Sequence, residues 1–171
     1  MARLKASRTL LIVGEGRHEE AFLNHLKQLY VSRGCGLSLT IKNARGKGAK
    51  HVVEWTIRQI ANAAYDDVAV LLDTDKDWSP LIAKKAKQKK IVVFASDPCF
   101  EAVLLRALGK HPVGDAKALK KTIAPYLKGD ATIRENYQEH FGDEQLQVAR
   151  IRESIIDALL KALGNEGRDG E

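Results

Sequence analysis

Acidic side chains follow the apolar segments of this sequence, at positions suited to metal-dependent chemistry. Four of them come just after an apolar run, namely Glu15, Asp73, Asp75 and Asp97. Three more lie within one helical turn of these positions, namely Glu19, Asp77 and Glu101. Carboxylate oxygens without a nearby cluster of His or Cys favour Mg²⁺ or Mn²⁺ over zinc. The pattern therefore predicts a site for a hard divalent cation.

Gathering these carboxylates in one place costs free energy unless something neutralises them. Two unit charges about 4 Å apart repel by about 1 kcal/mol even at the dielectric constant of water, and by more in a cleft. A bound divalent cation supplies the compensation. Because alternate residues of an extended segment share a face, Asp73 and Asp75 are expected to point to one side. For Asp73 or Asp97 taken alone, the simpler interpretation is a cap for the turn or helix that follows.

Four short apolar runs alternate with segments of helical periodicity, which predicts a mostly parallel sheet with helices on both faces. The predicted strands cover residues 9–13, 37–41, 68–72 and 91–95. The predicted helices cover about residues 18–30, 51–64, 80–89 and 99–108. The carboxyl ends of parallel strands meet at one edge of a sheet, where ligands bind. The expected fold class is therefore α/β and Rossmann-like, with the acids at that edge.

The chain of 171 residues is long enough for one core and is predicted to form a single domain. We expect an α/β core at about 8–110, a helical extension at about 111–164 and a frayed tail at 165–171. The last amphipathic segment of the extension is predicted to run from about 144 to 163. No apolar run reaches the roughly 20 residues that span a bilayer, and the two cysteines lie far apart. We therefore expect a cytoplasmic protein without membrane contact.

Lysine-rich segments contribute to a formal net charge of +6, which favours a polyanionic partner such as nucleic acid. The candidate phosphate contacts are Lys47 and Lys50 in a glycine-rich loop, and Lys84, Lys85 and Lys87 in a predicted helix. The alternatives are a plain connecting loop and a solvated helix face. His18 and His25 are predicted to be surface or partly buried side chains. Trp55 and Trp78 are predicted to be packing residues.

Two segments together resemble the signature of the TOPRIM superfamily. These are LLIVGEGRHEEAFLNHL and VAVLLDTDKD, which place a Glu after the first strand and Asp-x-Asp after the third. A further segment, FASDPCFEAVLLRAL, resembles one in RloB-like proteins, which together with the OLD group are TOPRIM nucleases. The resemblance covers most of residues 8–140. Two departures are Gly14, where an apolar residue is frequent, and Asp97, where Asn is usual.

The resemblance implies a TOPRIM fold and a magnesium-dependent nuclease that cleaves phosphodiester bonds in DNA or RNA. It makes Glu15 a metal ligand or the general acid/base, and Asp73 and Asp75 ligands of Mg²⁺ or Mn²⁺. The further candidate ligands are Glu101, Asp97 and Asp77, with Glu19 as an accessory acid. A role in bacterial defence, beside a protein partner, is implied in the same way.

Other classes of protein compete with this interpretation. The chain can instead be a noncatalytic subunit that binds nucleic acid or protein and keeps its acids for structure. A receiver domain needs a fifth parallel strand, which the helical C-terminal part does not supply. A dinucleotide-binding fold is disfavoured because Glu19 stands where the third glycine of its motif belongs.

Overall fold

The computed structural model describes residues 7–167 of the chain. Its strands are β1 (Arg8–Gly14), β2 (Leu37–Asn43), β3 (Asp67–Asp73) and β4 (Ile91–Ser96). The helices of the α/β part are α1 (Arg17–Tyr30), α2 (Gly48–Ile60), α3 (Pro80–Gln88) and α4 (Phe100–Ala107). Those that follow are α5 (Ala116–Ile123), α6 (Asp143–Arg152) and α7 (Ser154–Ala162), with short 3₁₀ turns at Ala124–Leu127 and Arg134–Tyr137. The predicted strands and helices of the first 108 residues are confirmed to within a few residues.

The four strands form one sheet in the order β2-β1-β3-β4, and every neighbouring pair is parallel. The register places Gly14 opposite Asn43 on one side and Leu71 on the other, and it places Asp73 opposite Ser96. The carboxyl ends of all four strands therefore lie at the same edge of the sheet, where β3 extends two residues beyond β1. This confirms the predicted α/β, Rossmann-like architecture.

Each face of the sheet is covered by helices, as the alternation of buried side chains requires. On β3, Val68, Val70 and Leu72 pack into one apolar cluster with residues of α2 and α3. Ala69 and Leu71 point the other way, into a larger cluster with α1, α4 and the C-terminal helices. A strand buried on both sides needs the continuous apolar run that the sequence shows at this position.

The C-terminal extension packs on the same face of the sheet as α1 and α4. The prediction of one helix at residues 144–163 is wrong, because the chain is extended at Glu153 (φ −135°, ψ 112°) between α6 and α7. Glu153 accepts a hydrogen bond from the Ile155 N–H at 3.4 Å and forms an ion pair with Arg106 at 2.6 Å. The break lets Leu146 and Leu159 both reach the core. The single-domain assignment stays a prediction, and residues 168–171 of the predicted tail lie outside the described residues.

Within residues 7–167, no helix is both long and apolar enough to cross a membrane. The longest helix, α1, has 14 residues and carries charged side chains along one side.

A cluster of aromatic rings joins α1 to the C-terminal extension. The ring centroid of Phe22 lies 5.4 Å from that of Phe100, 5.5 Å from that of Tyr137 and 6.0 Å from that of Phe141. His25 belongs to the same cluster and is only 1% exposed, so the prediction of a surface or partly buried side chain was wrong. Its Nε2 lies 2.7 Å from the carbonyl oxygen of Phe141, which requires the ring to donate a hydrogen bond there.

Burial lowers the pKa of His25 below its ordinary value of 6.5. The folded protein therefore keeps this ring neutral, whereas the unfolded chain takes up a proton as the pH falls. We expect the wild type to lose free energy of unfolding relative to His25→Gln as the pH falls from about 7 to about 5, because glutamine does not titrate. Urea denaturation across this range measures the difference. His111→Gln, at an exposed position, is the control and should follow the wild type. Parallel curves for His25→Gln and the wild type would contradict the assignment.

Candidate acidic site at the carboxyl edge of the sheet

Glu15 and Asp73 meet at the carboxyl edge, although 58 positions separate them in the chain. The Glu15 N–H extends the β1–β3 ladder by donating to the Leu71 carbonyl at 3.0 Å. The Asp73 N–H then donates to Glu15 Oε2 at 2.7 Å. Asp73 in turn accepts a hydrogen bond at Oδ1 from the Phe100 N–H, in the first turn of α4, at 2.9 Å. The predicted convergence of these two acids is what the parallel register produces.

Two buried glutamates stand beside this pair. Glu19 is 6% exposed and accepts a hydrogen bond at Oε2 from the Gly16 N–H at 3.1 Å. Glu101 is 4% exposed, and its Oε1 lies 3.0 Å from Nδ1 of His18. Together they line a cavity of about 300 Å³, hereafter the acidic cavity, bounded by Glu15, Gly16, Arg17, His18, Glu19, Asp73, Glu101, Lys120 and Thr132.

Burial and mutual repulsion make it costly for these acids to be ionised together. Burial, followed by the charges of Glu19, Glu15 and Glu101, raises the pKa of Asp73 to about 9. Burial also raises the pKa of Glu19 to about 7. The pKa of Glu15 is raised by burial and by Asp75, although the Asp73 N–H opposes the shift. A cation placed among these groups would reverse the direction of the shifts.

In this cavity, Glu101 and His18 stabilise the charged forms of each other. Burial opposes ionisation of Glu101, but the hydrogen bond and positive charge of His18 outweigh it and lower the pKa of Glu101. The same hydrogen bond raises the pKa of His18. The sequence prediction for His18 as a surface or partly buried side chain missed this role. Its position three residues after Glu15 gave no sign that Glu101 lies beside it.

Asp75 and Asp77 lie on the loop after β3, and both are exposed. The Asp75 N–H donates to the Pro98 carbonyl at 3.1 Å, and its charge raises the pKa of both Glu15 and Asp73. Asp77 has a positive φ of 58° and packs against Gly48, where a Cβ atom would approach its Oδ2 to 2.9 Å. Asp77 thus faces the start of α2, whereas the charge of Asp75 acts on the acids of the site.

Asp97 lies on the loop after β4 and is also exposed. Its Oδ1 accepts a hydrogen bond from Thr74 Oγ1 at 3.2 Å, and its carbonyl accepts one from Arg106 at 2.9 Å. These contacts hold the loops after β3 and β4 together. They favour a turn-forming role for Asp97, while its metal role stays a prediction.

The donor set suits a hard cation, although no preformed cage is present. Within the described chain, no three His, Cys, Asp or Glu side chains already stand in an arrangement that could hold a metal ion. Asp73 Oδ2, however, receives no hydrogen bond from residues 7–167, and the buried Ser96 Oγ opposite Asp73 has no partner there either. Unsatisfied oxygens among crowded carboxylates fit Mg²⁺ or Mn²⁺, with Glu15, Asp73 and Asp75 as the residues that would hold it.

The predicted phosphate-binding lysines fall into two groups. Lys47 and Lys50 are exposed at the start of α2, next to a loop whose Gly46 N–H donates to the Glu15 carbonyl. Those on α3, namely Lys84, Lys85 and Lys87, are exposed on a helix that begins at the carboxyl edge and leads away from it. Lys85 is also paired with Glu54 at 3.1 Å. Only the first group lies beside the acids.

A second and larger cavity, of about 930 Å³, adjoins the acidic cavity and shares Gly16 and Arg17 with it. We call it the Trp55 groove, and its lining is Gly16, Arg17, Glu20, Ile41, Lys42, Asn43, Arg45, Trp55 and Gln59. None of its cations was predicted as a site residue. Lys42 and Arg45 stand just before the predicted Lys47 and Lys50 in the same basic stretch, whereas Arg17 comes from the start of α1.

Removing the charge of Asp73 should stabilise the protein in the absence of metal. Because its pKa is about 9 in the folded state against an ordinary value of 3.8, the wild type loses stability as the pH rises between these values. We therefore compare the free energy of unfolding of Asp73→Asn with that of the wild type in the presence of chelator. The difference in favour of the variant should grow by at least about 1 kcal/mol from pH 5 to pH 8. Mg²⁺ should raise the melting temperature of the wild type and not that of Asp73→Asn.

Asp67→Asn provides the matched control for this prediction. Asp67 begins the same strand, at the opposite edge of the sheet, where it pairs with Arg8 in an exposed position. This variant should keep the wild-type response to both pH and Mg²⁺. If Mg²⁺ leaves the melting temperature of the wild type unchanged, the prediction of a metal site is contradicted.

Comparison with protein families gives one match, to the family described as RloB-like protein, over residues 10–166. Comparison with curated proteins and with solved structures gave no match. The matched segment runs from β1 to beyond α7, so it includes the acidic site and the C-terminal helices. Since the match covers nearly the whole chain, this protein belongs to the RloB-like family.

Proposed function

We propose that this protein is a TOPRIM-type nuclease that uses Mg²⁺ or Mn²⁺ to hydrolyse phosphodiester bonds in DNA or RNA. The observation that carries the proposal is the direct contact of Glu15 and Asp73 at the carboxyl edge, with Glu19 and Glu101 buried beside them. A sheet that only needed caps at its strand ends would not crowd four carboxylates into one cavity. Membership of the RloB-like family and the resemblance to the TOPRIM signature support the same function.

In this proposal Glu15, Asp73 and Asp75 hold the cation, with Glu101, Asp97 or Asp77 as further ligands. The bound ion supplies Lewis-acid stabilisation of the charge that develops on the phosphate. Glu15 has a second role available as general acid/base, because burial raises its pKa and so makes the carboxylate a better proton acceptor.

Neighbouring groups orient the carboxylates of the site and take no part in the reaction. His18 holds Glu101 through Nδ1, which fixes the orientation of that carboxylate. The Gly16 N–H holds Glu19, the accessory acid. A phosphate that enters the acidic cavity displaces water from among the acids.

Nucleic acid is the proposed partner, and the lysines supply contacts to its phosphates without reading its sequence. Lys47 and Lys50 stand beside the acidic site, and Lys84, Lys85 and Lys87 add positive charge along α3. A role in bacterial defence, beside a protein partner, belongs to the same proposal and rests on the resemblance. The alternative, a noncatalytic binding subunit, is separated from the nuclease by the next experiment.

Cleavage should depend on both a divalent ion and Asp73. We expect the wild type to cleave nucleic acid with Mg²⁺ or Mn²⁺ and to stop when a chelator is added. Asp73→Asn and Glu15→Gln should each lower the cleavage rate by at least about 100-fold, because each removes a charge that the ion and the phosphate require. Time courses on single-stranded and duplex substrates measure the rates.

Asp67→Asn again serves as the control, since it changes a carboxylate of β3 that lies far from the acidic site. It should cleave at the wild-type rate. Binding of nucleic acid without any metal-dependent cleavage by the wild type would favour the noncatalytic subunit over the nuclease.

A further inference from the structure

We propose that the Trp55 groove binds a single-stranded segment of the nucleic acid, with one base stacked on Trp55 and the adjoining phosphates on Arg17 and Arg45. The inference rests on the proposed function, because it identifies where the strand next to the reacting phosphate lies. The groove has the chemistry that single-strand binding requires, which is a set of cations along an aromatic surface.

The groove adjoins the acidic cavity. Both cavities are lined by Gly16 and Arg17, which lead from the end of β1 into α1. In this proposal, a strand with one phosphate among the acids passes Arg17 and continues in the groove. The volume of about 930 Å³ lies near the upper end of the roughly 300–1,000 Å³ range for small-molecule pockets.

The cations of the groove are available to a ligand. Neither Arg17 nor Arg45 has a hydrogen bond or ion pair from its guanidinium within residues 7–167, and both side chains are exposed. Lys42 is hydrogen-bonded to Gln59 at 2.9 Å, so its charge is held but not neutralised. One carboxylate, Glu20, faces these three cations. The groove is therefore net positive, and it lies beside a cavity lined by four carboxyl groups.

Trp55 is a fixed surface rather than a mobile one. It is half-buried on α2, where it packs against the apolar cluster of that face, and it also lines the groove. Trp55 thus has the predicted packing role, and it also offers a surface to the groove. An indole held by the core loses little conformational freedom when a base stacks on it.

The recessed position of Trp55 selects an unpaired strand. A duplex keeps its base faces stacked inside the helix, whereas a single strand can turn a base outward onto an aromatic ring. The polar side chains of Asn43 and Gln59 lie in the same groove, where they can contact the edge of that base. We therefore expect tighter binding of single strands than of duplexes.

Tryptophan fluorescence tests the proposal without any cleavage. The chain has two tryptophans, so Trp78→Phe leaves Trp55 as the only indole. Short oligothymidine and oligouridine are titrated into this variant in chelator. Both should quench the fluorescence, and a duplex of equal length should bind at least about fivefold more weakly. A larger effect with oligouridine would identify RNA as the better ligand.

Substitutions then separate the two parts of the contact. Because these substitutions remove the indole signal, affinity is measured here by the fluorescence anisotropy of a labelled oligonucleotide. Trp55→Ala should lower single-strand affinity about tenfold and Trp55→Phe much less, because phenylalanine still offers a ring for stacking. Arg17→Ala with Arg45→Ala should also weaken binding and should flatten the salt dependence by roughly 1 to 1.5 in logarithmic slope. The control is Arg33→Ala with Lys89→Ala, which removes two exposed cations at the opposite edge of the sheet.

The outcomes distinguish this proposal from the nuclease itself. Single-strand affinity that falls in Trp55→Ala and in the double arginine variant, in a protein that never cleaves, supports the groove and overturns the nuclease. Metal-dependent cleavage with an unchanged KM in Trp55→Ala overturns the groove and leaves the nuclease standing. Equal affinity for single strands and duplexes, or equal loss in the Arg33/Lys89 control, also overturns the groove.

Discussion

The rest of the structure depends on the repulsion among carboxylates that the parallel sheet brings to one edge. Because β1 and β3 pair in register, Glu15 and Asp73 must lie side by side. Burial of Glu19 and Glu101 next to them removes the water that would weaken this repulsion. The pKa values of Asp73 and Glu19 are raised as a result. A cation bound at this edge would favour the ionised form of these carboxyl groups.

Backbone N–H groups offset part of that repulsion before any ligand binds. Glu15 accepts a hydrogen bond from the Asp73 N–H, which opposes the rise in the pKa of Glu15, and Asp73 accepts one from the Phe100 N–H. Gly14 matters here, because a Cβ atom at this position would stand 3.0 Å from Cβ of Glu19. The glycine at this position therefore lets α1 approach the strand. Close approach is what places Glu19 in the acidic cavity.

Much of the fold followed from the sequence because period-2 burial and strand-end acids are local signals. The run at 68–72 is apolar on both faces, so it was recognisable as a buried parallel strand. The break at Glu153 was not recognisable, because it is held by Arg106, 47 positions away. His18 and Glu101 were missed as a pair for the same reason, since 83 positions separate them. The sequence located the acids but not the partners that tertiary packing brings to them.

The placement of the cations divides their roles within the proposed function. Charges on α3 stand apart from the acidic cavity, and at physiological ionic strength their field is screened over about 8 Å. Lys84 and Lys87 can therefore attract a polyanion to this side of the molecule without touching the phosphate that reacts. Arg17 is different, because it borders both cavities. Its guanidinium can therefore approach a phosphate in either cavity, and its positive charge would offset part of the repulsion that ionised carboxylates exert on that phosphate.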